Sequence, residues 1–213
     1  MNQDISSIRR DYNFKDLLES EAPLDPLSLF DEWLQQAIKS CPHDPTAMTL
    51  STVDQNNAPH ARVVLLKQRD DQGFVFFTNY DSDKGEHLTR NNQACITFFW
   101  PELSRQIRIE GKVSKTERVV SEDYFATRPT GSQIAATASP QSRYITRDAL
   151  HANFEQLDDD FKDKLISCPE YWGGYSLTPT YIEFWQGRPS RLHDRLCYQF
   201  DDKTAWSLRR KAP

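Results

Sequence analysis

The stretch EFWQGRPSRLHDR, residues 183–195, carries Arg188, Arg191, Arg195 and His193 directly behind the aromatic pair Phe184 and Trp185. On an extended chain side chains alternate faces, so Arg191, His193 and Arg195 are expected to project together. That placement costs repulsion, which an anion between them would relieve. Guanidinium groups hold phosphate through paired hydrogen bonds, and imidazole donates a hydrogen bond or moves a proton near neutral pH. Trp185 would lie against a flat ring. A solvated loop in which Asp194 partners a neighbouring arginine explains the same residues, and the segment alone leaves both explanations open.

A second group sits in YFATRPTGSQ, residues 124–133. If 118–127 is helical, Tyr124 and Arg128 stand one turn apart on one face. Pro129 is then expected to end the helix and leave Ser132 in a polar loop, so that Tyr, Arg and Ser form a cup for phosphate. A helix end with a favourable cation accounts for the same residues. In RVVLLK, Arg62, Val64 and Leu66 share one strand face and Val63, Leu65 and Lys67 the other, a pattern that also suits a buried strand flanked by solubilising charges. In RQIRIEGK, Gln106, Arg108 and Glu110 face away from Ile107 and Ile109, as in any half-buried strand.

The whole chain bounds these possibilities. It has 213 residues, a formal net charge of -5, 38% hydrophobic and 27% charged residues, so it reads as a globular protein with room for a sizeable core. The acidic balance argues against a general nucleic-acid binder, and any positive patch must be local. No apolar run approaches the ~20 residues of a membrane span. The N-terminus lacks the apolar core of a secretory signal, and the 4 cysteines form no CxxC pair, which together suggest a cytoplasmic protein with reduced thiols. With only 7 glycines there is no glycine-rich phosphate loop, and the 5 histidines show no metal-ligand spacing. A phosphorylated ligand must be held by side chains.

Residues 1–24 are polar and expected to form a mobile arm, a possible lid; residues 25–213 are expected to form a single domain. Asp25-Pro26 offers a helix cap and a first-turn proline, followed by Leu27, Phe30, Trp33, Leu34, Ala37 and Ile38 at helical spacing. TAMTLSTV, HARVVLLK, GFVFFTN (after the RDDQG turn), ACITFFW and RQIRIEGKVSK read as five closely spaced strands. Residues 117–128 and 147–165 read as helices, and TYIEFW, RLHDRLCYQF and AWSLRR as further strands. The expectation is one α+β domain, mainly β: a barrel with peripheral helices.

In their order and spacing, RVVLLK, RPTGSQI, QSRYI, EFWQG and RLHDR resemble the pyridoxine/pyridoxamine 5′-phosphate oxidase family, and the resemblance runs from IRRDY at residue 8 to the terminal AP. It implies an FMN-binding split β-barrel that forms a homodimer with flavin sites at the interface. It also implies oxidation of pyridoxamine or pyridoxine 5′-phosphate to pyridoxal 5′-phosphate, with dioxygen reduced to hydrogen peroxide. By the resemblance, Arg62, Val63, Val64, Leu65, Leu66 and Lys67 line the flavin site, with Phe77, Thr78, Lys84, Gln106, Gln141, Ser142, Trp185 and Arg195. Lys67, Tyr124, Arg128 and Ser132 would hold the substrate phosphate. Arg191 and His193 would be catalytic, closing over the pyridine ring, and Arg9 and Tyr12 would cover the substrate.

One position departs from the family. It usually has Ser-Arg-Lys where this chain reads Ser82-Asp83-Lys84, which replaces a cation near the flavin phosphate by a carboxylate. A non-catalytic split-barrel protein that binds flavin or pyridoxal phosphate is the alternative this departure keeps open. The intact Arg191/His193 pair speaks for the oxidase.

Overall fold

The computed structural model describes Ser6, Tyr12 and residues 15–213, apart from 71, 72, 163, 203 and 204. Arg9 and the centre of the RDDQG turn therefore lie outside the described residues. In chain order the elements are helix α1 (Pro26–Ser40), strands β1 (Ala47–Val53), β2 (Pro59–Leu65), β3 (Gln68–Asp70) and β4 (Gly73–Asn79), helix α2 (Asp83–Arg90), strands β5 (Gln93–Trp100) and β6 (Arg105–Lys115), helices α3 (Arg118–Ala126), α4 (Thr130–Ala138) and α5 (Arg147–Asp160), and strands β7 (Trp172–Gln186), β8 (Asp194–Asp201) and β9 (Ala205–Arg210). The strand order is β2-β1-β5-β6-β7-β4-β3, with β8 on β7 and β9 on β8. Among the described residues, no helix is long and apolar enough to cross a membrane.

The chain divides into two compact units. Unit one comprises residues 1–49, 96–110 and 179–213. Here α1 forms where the sequence predicts it: the Asp25 carboxylate accepts from the Leu27 and Ser28 backbone N–H groups at 3.0 and 3.2 Å, and Pro26 opens the first turn. Leu29, Phe30, Trp33 and Ala37 are buried. Phe30 meets Phe98 edge-on at 5.3 Å and Trp33 meets Phe184 at 5.2 Å. β8 pairs antiparallel with β7, in a register that sets Trp185 opposite Arg195 and Glu183 opposite Cys197.

Unit two comprises residues 50–95 and 111–178. β4 pairs antiparallel with β7 from Phe74↔Leu177 to Asn79↔Trp172. Phe74, Phe76, Phe125, Ile134, Tyr175 and Leu177 are buried. α2 approaches the preceding turn very closely: a Cβ on Gly85 would stand 2.0 Å from the Tyr80 carbonyl oxygen, so only glycine fits there.

Several local expectations need correction. RVVLLK is not a buried strand: Val63 is 67% and Leu65 36% exposed, and only Leu66 is packed away. Pro129 separates two helices and is itself the residue before α4, so Ser132 stands in the first turn of α4 and not in a loop. α3 ends at Ala126, which leaves Arg128 beyond it, and α5 ends at Asp160. Arg191, His193 and Arg195 do not share an extended face. Ser190 and Arg191 take left-handed φ values of 54° and 61° in a 3₁₀ turn, and β8 begins only at Asp194.

Candidate functional site

Unit two contains a cavity of about 970 Å³. Its wall is built from β2 and the residues just after it (Val63, Val64, Leu65, Lys67), from β4 (Phe77, Thr78), from Lys84 on α2, from Tyr124 and Arg128 around the end of α3, and from Gln141 after α4. Sequence separation of these residues is large, and the β4–β7 pairing with the three helices brings them together. Tyr124 and Arg128 reach the same wall although they do not share a helix.

Lys84 is the most enclosed charge there, only 9% exposed. Its ammonium donates to Thr78 Oγ1 at 3.0 Å, Ser82 Oγ at 3.0 Å and Gln141 Oε1 at 2.8 Å. The Thr78 hydroxyl donates to the same Gln141 oxygen at 3.0 Å. All of these acceptors are neutral, and Lys84 has no ion-pair partner among the described residues. Burial, reinforced by the nearby Arg62 charge and partly offset by Asp83, pushes its pKa down to about 8. The start of α2 adds the partial positive charge of a helix N-terminus. An anion is what this arrangement lacks.

Arg62 is similar. It is half-buried on β2 and donates to the Leu50 carbonyl at 3.1 Å, Thr52 Oγ1 at 2.7 Å and the His60 carbonyl at 3.3 Å. Burial lowers its hold on its proton. It stands off the cavity wall, as does Leu66, which belongs to the apolar core.

Arg128 marks a second position for an anion. Its guanidinium lies 4.8 Å from the Trp172 ring centre, and its buried Nη1 has no hydrogen-bond partner among the described residues. A buried guanidinium N–H without an acceptor costs free energy until a ligand supplies one. Beside it Phe77 stacks on Tyr124 at 4.0 Å and on Trp172 at 5.6 Å, a flat apolar wall. Trp172 is a wall residue that the sequence motifs do not single out; its place in an aromatic pair before two glycines was the available signal. Ser132 and Ser142 are not on the wall, and Ser142 takes a left-handed φ of 70°.

In unit one, Trp185, His193 and Tyr12 form a cluster. The Trp185 and His193 ring centres are 4.7 Å apart, and Tyr12 meets both edge-on at 5.9 and 5.4 Å. The Arg188 backbone N–H donates to His193 Nδ1 at 3.0 Å, which leaves the ring proton on Nε2. Burial and the Arg191 charge, partly offset by Asp194, lower the pKa of His193. Arg191 is exposed and has no ion-pair partner among the described residues.

The other cations of RPSRLHDR are engaged. Arg195 donates to both oxygens of Glu183 at 3.0 Å, and Arg108 adds a further donation to that carboxylate at 3.1 Å. Asp194 pairs with Arg210 at 2.6 Å and Arg188 at 3.5 Å. Part of this segment is thus the salt-bridged loop that the sequence also allowed. Gln106 is half-buried on β6.

A family model described as pyridoxamine 5′-phosphate oxidase matches residues 34–159, and one described as the pyridoxine 5′-phosphate oxidase C-terminal dimerisation region matches residues 172–213. Curated proteins called pyridoxine/pyridoxamine 5′-phosphate oxidase are similar over 100% of both chains: the Pseudomonas putida protein is 51% identical and that of a Cyanothece species 48%. Among solved structures, PhzG from Burkholderia lata, in complex with tetrahydrophenazine-1-carboxylic acid, superposes with a TM-score of 0.87 at 29% identity, covering 93% of this chain and 98% of that one. An FMN-binding protein from Nostoc punctiforme shares the fold at a TM-score of 0.71 and 15% identity, covering 89% of this chain and 98% of that one.

Proposed function

The chain belongs to the pyridoxamine 5′-phosphate oxidase family, and on that premise we propose that the cavity of unit two takes FMN together with the phosphate-bearing substrate. The protein is a mainly β split-barrel oxidoreductase that converts pyridoxamine or pyridoxine 5′-phosphate to pyridoxal 5′-phosphate. One observation carries the cofactor assignment: Lys84 is a buried ammonium surrounded by neutral oxygens, with Arg62 close enough to repel it. The residues fit a phosphate monoester, whose charge offsets that repulsion and whose oxygens accept from Lys84.

In this reading Lys84, Thr78 and Gln141 hold the flavin phosphate, backed by Arg62, while Val63, Val64 and Leu65 line the ring's surroundings. Gln106, Ser142, Trp185 and Arg195 are assigned to the flavin by family likeness. Lys67, Tyr124 and Arg128 hold the substrate phosphate, with Arg128 Nη1 gaining the acceptor it lacks; Ser132 and Arg9 join this set by likeness alone. Bound there, FMN would supply the two-electron redox chemistry of the reaction, with dioxygen as the final acceptor. Arg191, exposed and without an ion-pair partner among the described residues, is assigned to the substrate by family likeness. His193 is assigned to orienting the C4′ substituent by family likeness; with Nδ1 accepting from the Arg188 N–H, Nε2 is the nitrogen it presents. Tyr12 packs against His193 and limits water there. The C-terminal dimerisation match supports a homodimer, and the 4 free cysteines suit a cytoplasmic setting.

Oxygen uptake tests the proposal. Pyridoxamine 5′-phosphate should drive uptake in the presence of FMN, and removing the phosphate should lower kcat/KM by about 100-fold or more, the loss of two charge-assisted hydrogen bonds. Equal rates with the phosphate-free amine would contradict the assignment of Arg128.

A further inference from the structure

The turn after α4 is tied to α2 at two points. Gln141 Oε1 accepts from Lys84 Nζ at 2.8 Å. Two residues on, Arg143 Nη2 donates to the Asp81 carbonyl at 2.8 Å and to the Glu86 carboxylate, and Nη1 lies 3.9 Å from Asp83 Oδ1. The left-handed Ser142 and the Arg143 N–H donating to the Pro140 carbonyl at 3.0 Å make the turn that sends both side chains the same way. One guanidinium therefore engages the backbone before α2, its first residue and its fourth. Asp83 is next to Lys84 in the chain, and its charge is felt at both Lys84 and Arg62. An unbalanced carboxylate there would repel any phosphate those cations attract. It is instead turned toward Arg143.

We propose that Arg143 is a positioning residue of the phosphate site, which holds Gln141 on Lys84 and takes up the negative charge of Asp83. The inference rests on the reading of the cavity as a flavin site. It makes Asp83 a partner of Arg143 and not a ligand of the phosphate. The two carboxylates and the single guanidinium use the planar, multiply donating geometry that lysine lacks, so the charge alone does not replace Arg143.

The test is a fluorescence titration of the cofactor-free full chain with FMN, across a double-mutant cycle. Arg143→Ala should raise the Kd about tenfold, the size of a coupling between contacting groups, and Arg143→Lys should recover only part of that. Asp83→Asn alone should change the Kd by less than about threefold, yet in the Arg143→Ala background it should tighten binding severalfold, because it removes a carboxylate left unbalanced. A role confined to stability would not be rescued by removing a second side chain. If Arg143→Ala does not fold, Arg143→Gln is measured in the same cycle. Binding by Arg143→Ala equal to wild type, or no recovery on adding Asp83→Asn, would overturn the latch alone. Wild-type protein that takes up no FMN would overturn the reading of the cavity, and the latch with it.

Discussion

In unit one Arg195 and Arg108 share a carboxylate supplied by the chain, Glu183, which is only 3% exposed; in unit two the buried Lys84 and the half-buried Arg128 have none among the described residues. Both regions place cations among aromatic side chains. The first has closed its own charge balance, with Tyr181 donating to the same Glu183 at 2.9 Å. The second satisfies Lys84 with neutral oxygens and leaves one Arg128 nitrogen without a partner among the described residues. Arginine and lysine count therefore says little about where an anion binds. What matters is whether a carboxylate pairs directly with the cation, and among the described residues neither Lys84 nor Arg128 has such a pair.

The largest expected effect breaks the closed region. Glu183→Ala leaves Arg195 and Arg108 facing each other without an anion, and should destabilise the protein by about 3–5 kcal/mol. Guanidinium chloride unfolding measures this, and a change below about 1 kcal/mol would mean the pair is solvated and the comparison false. Burial alone would raise the pKa of Glu183, but donation from Arg195, Tyr181 and Arg108 outweighs it and holds the carboxyl below its ordinary 4.5. Its contribution is thus present above that value and is lost as pH falls through the lower folded-state value.

The open region should respond in the opposite sense. Lys84→Met should weaken FMN by about 10- to 100-fold, the worth of a charge-assisted hydrogen bond, while leaving the cofactor-free protein as stable or more so. A drop in melting temperature as large as that of Glu183→Ala would show that Lys84 is structural. The pH dependence sharpens the contrast. Lys84 holds its proton less tightly folded, at about 8, than unfolded, at 10.5. The unfolded chain binds more protons between those values, so the cofactor-free protein gains stability as pH rises through that window. Bound phosphate should abolish the gain, and FMN affinity should fall as pH rises above about 8. Lys84→Met should remove both effects.

The smallest effect serves as the control. Asp25→Ala removes the cap of α1 and should cost about 1 kcal/mol. FMN affinity should stay at the wild-type value, and a shift with pH like that of Lys84 would be unexpected.

Helix α1 was legible because capping and amphipathic spacing are local: Asp25, Pro26 and the apolar face stand within one segment. Family likeness named flavin and substrate residues in several separate segments, and ten of those residues line one cavity. The geometry of Arg191, His193 and Arg195 was not, since Ser190 and Arg191 adopt left-handed conformations that glycine usually signals, and neither is glycine. Ser132 was misplaced because a proline that ends one helix can also stand just before the next. The neutralisation of Arg195 by Glu183 depends on strand register across twelve residues of chain, which no local pattern encodes. Arg143 follows a recognisable Gln141-Ser142 pair, yet its partners on α2 are 57 and more residues away.

The most direct measurement is the absorption spectrum of the FMN-loaded protein without air, before and after pyridoxamine 5′-phosphate is added. The account predicts that the flavin band bleaches with the phosphorylated amine and far more weakly with pyridoxamine at the same concentration. A band that both compounds bleach equally, or that neither changes, would contradict a site built from cations waiting for two phosphates.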